Sequence, residues 1–154
     1  MPSFSSERRV RHSASQMFAL VADVERYPEF VPLCRALKVR RREKSETGIE
    51  TLIADMEVGY KAIRERFTSR VALDPARLKI VVAYIDGPFS RLENVWNFRD
   101  APEGGGSTVE FFIAYEFRSR LLAALMGAMF DAAFRKFSAA FEARADKIYG
   151  RAPA

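Results

Sequence analysis

The residue types that carry most enzyme chemistry are scarce in this sequence. It contains one histidine, His12, and one cysteine, Cys34. A zinc site takes about four His, Cys or carboxylate ligands, and a reactive cysteine needs an exposed thiolate beside a basic group. The sequence also lacks a nucleophile elbow, a phosphate-binding glycine loop and a dinucleotide fingerprint. We therefore expect a protein without catalytic residues, metal or cofactor, in which His12 is exposed or caps a helix.

Two polar residues stand among apolar ones on predicted strands. Glu65 shares a strand face with Phe67, and Asn94 shares one with Trp96, because side chains two positions apart point to the same side of a strand. A few polar groups in an apolar cavity usually orient the headgroup of a ligand. The alternative is that Glu65 pairs with a nearby arginine and that Asn94 is hydrogen-bonded internally. Glu65 and Asn94 are therefore headgroup candidates, with both explanations open.

Period-two alternation of apolar residues predicts a sheet preceded by one strand and a helical segment. The first strand covers residues 3–10, and Ser13 begins a helix with capping-box spacing to Gln16. Two prolines restrict residues 26–32 to a short helical turn. Gly59 is expected to separate two of the later strands. Six strands follow the turn, at residues 34–43, 49–58, 60–73, 78–85, 89–99 and 108–118. The short connections between them predict an antiparallel meander.

The last segment predicts one long helix. Ser119 is a suitable N-cap, and the chain runs without proline to Gly150, which gives about 45 Å of helix at ~1.5 Å per residue. Residues 121–130 carry no charge, and a helix that is apolar all round must be buried on more than one side. We therefore expect residues 13–32, a partner chain, a membrane surface or a ligand to cover the far side of residues 121–134.

The composition fits one domain in a reducing compartment. The 154 residues suit a single domain, predicted as residues 1–150 with a disordered tail at 151–154, and a lone cysteine forms no internal disulfide. The N-terminus has no secretory apolar region, and no apolar run approaches the length of about 18 residues that a membrane span needs. The net charge of +5 is mild, and its densest basic cluster, at residues 38–44, is typical of a solvated strand end. We expect a cytoplasmic protein with peripheral contact at the inner face of the membrane.

Phenylalanine is used heavily, with 13 copies beside 5 tyrosines and 1 tryptophan. A small domain with this many phenylalanines either packs them densely or lines a cavity with them. In the second case, the apolar faces of the last four strands and of the long helix supply the walls. The predicted ligand-contacting residues are Phe67, Tyr84, Trp96, Phe98, Phe111, Ile113, Tyr115, Leu122, Met126, Met129, Phe130 and Phe134.

One motif is specific enough to indicate a family. Residues 23–34, DVERYPEFVPLC, resemble the D-V-x-x-Y-P-x-F-x-P-x-C signature of the coenzyme-Q-binding family of START-like domains, which includes the bacterial ribosome-association toxin proteins. Residues 65–71, 86–96 and 115–122 also fit that family. The resemblance implies an α+β helix-grip fold with a strand, two short helices and six strands. A curved seven-stranded antiparallel sheet then wraps around the long C-terminal helix.

The resemblance implies two functions of different classes. One is non-enzymatic binding and delivery of ubiquinone or a related isoprenoid, as a lipid chaperone that supports cellular respiration and ubiquinone biosynthesis. The alternative is a ribosome-association factor or toxin that binds the large ribosomal subunit, with residues 38–44 as the contact. The wider fold also hosts cyclases and dehydratases, for which Glu65 and a tyrosine would act as acid and base.

The residues favour the lipid carrier. Burying each methylene stabilises binding by ~0.8 kcal/mol, so a polyisoprenoid needs a long apolar channel. We expect the start of the long helix, around Leu122 and Met126, to form a gate at a membrane surface, with Arg118 and Arg120 beside anionic lipid. The expected partners are a hydrophobic small molecule, a membrane surface, and a ribosome or a respiratory or quinone-biosynthesis complex.

Overall fold

A computed structural model describes residues 2–60 and 62–150. The predicted tail at residues 151–154 lies outside the described residues. Strand β1, Ser3–Val10, is followed by helix α1, Ala14–Ala22, and by a 3₁₀ helix, Val24–Glu29. The predicted capping box of α1 is confirmed, because the Ser13 hydroxyl accepts from the Gln16 amide at 3.1 Å and the Gln16 side-chain oxygen accepts from the Ser13 amide at 3.0 Å.

Six consecutive strands complete one sheet, and their order is β1-β7-β6-β5-β4-β3-β2 with every pair antiparallel. The predicted meander is thus confirmed, and β1 and β2 are its edges. The strands are β2 Cys34–Lys44, β3 Glu50–Tyr60, β4 Ile63–Asp74, β5 Lys79–Asp86, β6 Phe89–Asp100 and β7 Ser107–Phe117.

The expectation that Gly59 ends a strand is wrong, because Gly59 lies within β3. Its amide donates to the Leu33 carbonyl at 3.0 Å, and a Cβ at this position would lie 3.1 Å from the Ile63 carbonyl oxygen. The glycine therefore permits a close approach of backbone segments inside the sheet instead of breaking it.

Helix α2, Arg120–Tyr149, begins after Ser119, whose hydroxyl accepts from the Leu121 and Leu122 amides. It buries a single stripe of residues: Met126, Phe130, Ala133, Phe134, Ser138, Phe141 and Ala145. In the described ranges 2–60 and 62–150, neither this helix nor another is both long and apolar enough to cross a membrane.

Residues 13–32 do not cover the far side of the first half of α2, so a partner chain, a membrane surface or a ligand remains its expected cover. Leu121 and Leu125 are 68% and 51% exposed. The rest of the far side of this half consists largely of exposed alanines, which offer little apolar area to water. Within the described chain, the first half of α2 therefore buries one stripe and leaves Leu121 and Leu125 exposed.

Three side-chain contacts fasten the C-terminal half of α2 near β1. Ser138 is 3.1 Å from Ser6 between hydroxyl oxygens, and Glu142 pairs with Arg8 at 2.7 Å. His12 is 3% exposed, and its Nε2 lies 2.7 Å from the Asp146 carboxylate. The expectation that His12 is exposed or caps a helix is therefore wrong, because this residue ties the first loop to the end of α2.

Helix α2 packs on β1, β7 and α1. Inner-face aromatic residues of β7 make this contact, with the Phe111 ring 5.7 Å from that of Phe137 and the Tyr115 ring 5.3 Å from that of Phe134. The helix thus packs at one side of the sheet, while the 3₁₀ helix packs on β2 at the other side.

Candidate ligand-binding cavity

A cavity of about 110 Å³ fills the space between the inner face of the sheet and α2. Three groups of residues line it. Strands β2–β7 contribute Leu37, Ala54, Met56, Val58, Phe67, Ser69, Val71, Ile80, Val82, Phe89, Leu92, Asn94, Trp96 and Ile113. Helix α2 contributes Phe130, Ala133, Phe134, Phe137 and Phe141. Residues 24–33, the cover segment, contribute Val24, Tyr27, Val31 and Leu33, with Pro32.

The structure brings six of the predicted ligand-binding and headgroup residues together in this wall. They come from β4, β6, β7 and α2, which converge on the cavity. These residues are Phe67, Asn94, Trp96, Ile113, Phe130 and Phe134. Their contact with a ligand stays a prediction.

The other predicted residues do not border the cavity. Phe111 and Tyr115 pack directly on α2, Phe98 packs edge-on against Phe18 of α1 at 5.8 Å between ring centres, and the Tyr84 hydroxyl accepts from the Phe89 amide at 3.0 Å. Half-buried Glu65 lies on the inner face, but outside the wall. The remaining three belong to the first turns of α2: Leu122, Met126 and Met129. The alternation along the strands predicts which side chains face inward. It does not predict at which of them the distance between the sheet and α2 is large enough to leave a cavity.

Sequence reasoning missed the cover segment as part of the wall, although its motif carried the signal. The Tyr27 hydroxyl donates to the Val21 carbonyl in the last turn of α1 at 2.5 Å, and its ring packs on Phe141 at 5.4 Å. Burial raises the pKa of Tyr27 far above its ordinary value. Phe30 also packs edge-on against Phe141, at 5.0 Å. The motif thus places aromatic rings and prolines over the cavity, between α1 and α2.

Two ion pairs hold the cover segment in place. Arg144 of α2 donates to Glu29 at 2.6 Å while its guanidinium lies 5.0 Å from the centre of the Phe30 ring. Arg42 of β2 pairs with Glu25. The hydrogen bond from Arg144, and then that from Arg26, lowers the pKa of the Glu29 carboxyl below its ordinary value. The segment is therefore tied by charge to both α2 and the edge strand β2.

The cavity wall contains no Lys, Arg, His, Asp or Glu. Its polar side chains are Tyr27, Ser69 and Asn94. The Asn94 amide nitrogen donates to the Phe112 carbonyl at 2.8 Å, and its oxygen accepts from the Trp96 indole at 3.2 Å. An ionised group would lose its hydration here without gaining a countercharge, so the wall favours an uncharged, largely apolar occupant.

The lone thiol does not provide a nucleophile. Cys34 is buried, and burial raises the pKa of its thiol to about 11. At neutral pH almost none of it is thiolate, which is the reactive form. Among residues 2–60 and 62–150, no three His, Cys, Asp or Glu side chains are grouped as a metal ion would require.

Three of the five basic residues of the cluster on β2 form ion pairs. Arg40 pairs with Asp55 at 3.5 Å, Arg41 pairs with Glu43 at 2.7 Å, and Arg42 pairs with Glu25. Exposed ion pairs of this kind have small net energies, but they reduce the positive field that an anionic partner would meet.

A seven-stranded antiparallel sheet, a long C-terminal helix and an apolar cavity between them define a START-like helix-grip domain. The sequence profile described as polyketide cyclase / dehydrase and lipid transport matches residues 10–142, and the chain belongs to this family. The resemblance derived from the motif at residues 23–34 is thereby confirmed.

Two kinds of named relatives are similar to the chain at comparable levels. The coenzyme Q-binding protein COQ10 homolog B of Xenopus laevis is 33% identical over 96% of the chain, which spans only 59% of the length of that protein. The ribosome association toxin RatA of Vibrio cholerae is 35% identical over 97% of the chain and 99% of the toxin. Sequence similarity therefore does not choose between the two classes of name.

Solved structures share the fold. The 18 kDa protein CC1736 of Caulobacter crescentus is 37% identical, with a TM-score of 0.77 over 97% of this chain and 99% of that one. A START superfamily protein of Mycobacterium smegmatis has a TM-score of 0.76 at 16% identity, over 95% of this chain and 98% of that one. The Zhui aromatase/cyclase of a Streptomyces species has a TM-score of 0.75 at 16% identity, over 98% and 99%. The last two similarities describe the fold alone.

Proposed function

We propose that this protein binds ubiquinone or a related neutral isoprenoid quinone in its cavity and delivers it without chemical change. The observation that carries the proposal is the largely apolar cavity wall, which contains no carboxylate, imidazole or cationic side chain. Its one ionisable group is the Tyr27 hydroxyl, which already donates to the Val21 carbonyl. The names of the COQ10 relatives support it. In this role the protein supports respiratory electron transport and quinone biosynthesis.

The size of the cavity favours a carrier that covers the quinone head and the nearest part of its tail. Pockets that enclose drug-sized ligands measure about 300–1,000 Å³, whereas this cavity measures about 110 Å³. A longer tail must widen the cavity or leave through its opening. Each methylene taken out of water stabilises the complex by ~0.8 kcal/mol, so affinity rises with the length that is covered.

The same wall supports a protein that is not an enzyme. A cyclase or dehydratase needs an acid and a base beside its substrate. Glu65 lies outside the wall, and the Tyr27 hydroxyl donates to a backbone carbonyl. A binding protein needs no such pair.

We further propose that the start of α2 contacts an anionic bilayer. Leu121 and Leu125 are exposed there, and the exposed Arg118 and Arg120 lie beside them in the chain. Exposed leucines insert favourably at the lipid–water boundary, and arginines attract anionic headgroups. Such a contact would bring the carrier to the membrane that holds its ligand.

The direct test is to purify the protein from its own source, extract it with organic solvent and examine the extract for quinone absorbance, with native mass spectrometry of the intact complex. We expect an isoprenoid quinone bound in a fixed ratio to the protein. Protein that carries no lipid, and that takes up no ubiquinone when ubiquinone is added, would contradict the proposal.

Association with the large ribosomal subunit is the second candidate, favoured by the RatA relatives that match along their whole length. Its predicted contact is the basic edge of β2. Co-sedimentation with ribosomal subunits should then fall steeply with salt and disappear in the double variant Arg40→Glu, Arg41→Glu. Absence of co-sedimentation at low salt would exclude this function.

A further inference from the structure

Ser69 is the polar residue of the cavity wall whose hydroxyl group has no role in the fold described so far. It lies on the inner face of β4, is 7% exposed and borders the cavity. The other two polar side chains of the wall, Tyr27 and Asn94, donate to backbone carbonyls. Within the described parts of the chain, the Ser69 hydroxyl is not one of the fully buried polar atoms that lack a partner, which are Ser107 Oγ and Arg144 Nε; it borders the cavity and is free to meet a ligand there.

The surroundings of Ser69 leave room for a ligand atom. Ser69 is paired across the sheet with Ala54 of β3, another cavity residue, so two small side chains lie next to each other there. Larger residues, Phe67 and Val71, precede and follow Ser69 on the same face. The hydroxyl therefore has a small neighbour, Ala54, on the β3 side and a large one, Tyr84, on the β5 side of a largely apolar wall.

A serine hydroxyl on a cavity wall carries one donor hydrogen that a ligand can accept. We propose that Ser69 donates this hydrogen to an oxygen acceptor on the ligand and thereby selects neutral lipids that carry a carbonyl group over hydrocarbons of similar shape. The ligand class is a neutral, carbonyl-bearing isoprenoid such as a quinone. This inference rests on the proposed function and names the residue that sets its ligand specificity.

The only tryptophan offers a local readout, because Trp96 lies in the cavity wall. Wild-type protein and Ser69→Ala are titrated with two probes while Trp96 fluorescence is recorded. Ubiquinone-2 has carbonyl acceptors, and 1,6-diphenyl-1,3,5-hexatriene is a hydrocarbon without an acceptor. Ser138→Ala is the matched control, since Ser138 is also buried but pairs with Ser6 away from the cavity wall.

We expect Ser69→Ala to weaken ubiquinone-2 binding about three- to tenfold, the value of one hydrogen bond, and to change the affinity for the hydrocarbon less than about twofold. Ser69→Thr keeps the donor and should retain the preference for the quinone. The unliganded Ser69→Ala protein should unfold within a few degrees of wild type, because the substitution removes one small polar group from the cavity wall.

Equal weakening of both probes would mean that Ser69 only shapes the wall, and unchanged quinone affinity would mean that it makes no contact; either result overturns the inference and leaves the proposed function in place. Wild-type protein that binds the hydrocarbon but not ubiquinone-2 would overturn both. Ser138→Ala should resemble wild type with both probes, and a selective loss of quinone binding in Ser138→Ala would also contradict the assignment.

Discussion

Tyr27 joins two elements through one hydroxyl group. The last carbonyls of a helix have no hydrogen-bond donor within the helix. The Tyr27 hydroxyl is such a donor for the Val21 carbonyl in the last turn of α1. The same side chain borders the cavity and packs on Phe141 of α2. The tyrosine of the motif therefore has a structural role that explains why the chain uses it where phenylalanine would suit the cavity equally well.

Replacement of Tyr27 by phenylalanine is expected to lower the free energy of unfolding by about 1 kcal/mol, because a buried carbonyl loses its donor while the ring remains. Urea unfolding followed by circular dichroism measures this. Tyr149→Phe is the control: the Tyr149 hydroxyl also donates to a carbonyl of α1, that of Gln16 at 3.1 Å, but at an exposed site. Equal losses in both variants would show that the burial of Tyr27 does not matter.

We expect the cover segment to decide how a ligand enters and leaves the cavity. It forms one wall of the cavity, and Arg144 and Arg42 hold it by ion pairs. Leu33, at its end, has a positive φ of 67°, which is unfavourable for a residue with a side chain. We expect this segment, which combines surface ion pairs with a strained residue, to move in place of the first turns of α2, whose residues before Phe130 do not border the cavity.

Arg144→Met should speed the dissociation of ubiquinone-2 about two- to fivefold, because the cover segment loses its pair with α2 while the side-chain stem remains. Stopped-flow measurement of Trp96 fluorescence gives this rate. Arg135→Met is the control, since Arg135 on the same helix pairs with Asp131 and not with the cover segment. A similar change in both variants would argue against this segment as the moving part.

Acidic pH should speed the dissociation of ubiquinone-2 from the wild type, as the loss of Arg144 does. The pKa of Glu29 is lowered in the folded protein, so the stabilising charge is present above the ordinary glutamate pKa of about 4.3 and is lost as the pH falls through the lowered value. Dissociation from wild type should accelerate in that acidic range, and the acceleration should be smaller in Arg144→Met. A pH profile that is identical in the two proteins would contradict the role of the Glu29–Arg144 pair.

The elements themselves were predictable because their signals are local. The Ser13–Gln16 capping box, the Ser119 cap and the alternation along β6 and β7 depend on neighbours in sequence. The cavity wall was predictable only in part. Phe134 and Phe111 carry the same kind of side chain, yet Phe134 borders the cavity and Phe111 packs behind it. That difference depends on the distance between α2 and the sheet, which only tertiary packing determines.

At the scale of the whole molecule, the exposed leucines at the start of α2, Leu121 and Leu125, form an apolar surface. Leu125→Asp should weaken binding to vesicles of phosphatidylcholine and phosphatidylglycerol about tenfold, because a charge replaces a leucine that would be buried in the lipid boundary. Vesicle co-sedimentation at low salt measures this. Ile148→Asp is the control, since Ile148 is 50% exposed near the other end of the same helix, close to the 51% of Leu125. An equal loss in both variants would exclude an oriented contact through the start of α2.

Two adjacent alanines allow the most direct test of ligand binding in the cavity. Ala133 borders the cavity, whereas Ala132 lies about 100° further round α2 and is exposed. Ala133→Phe places a ring in the space of about 110 Å³, while Ala132→Phe adds the same ring to the surface. Ubiquinone-2 titration of Trp96 fluorescence should show binding weakened at least about tenfold in Ala133→Phe and changed less than about twofold in Ala132→Phe. Wild-type affinity in a folded Ala133→Phe protein would contradict the claim that the quinone occupies this cavity.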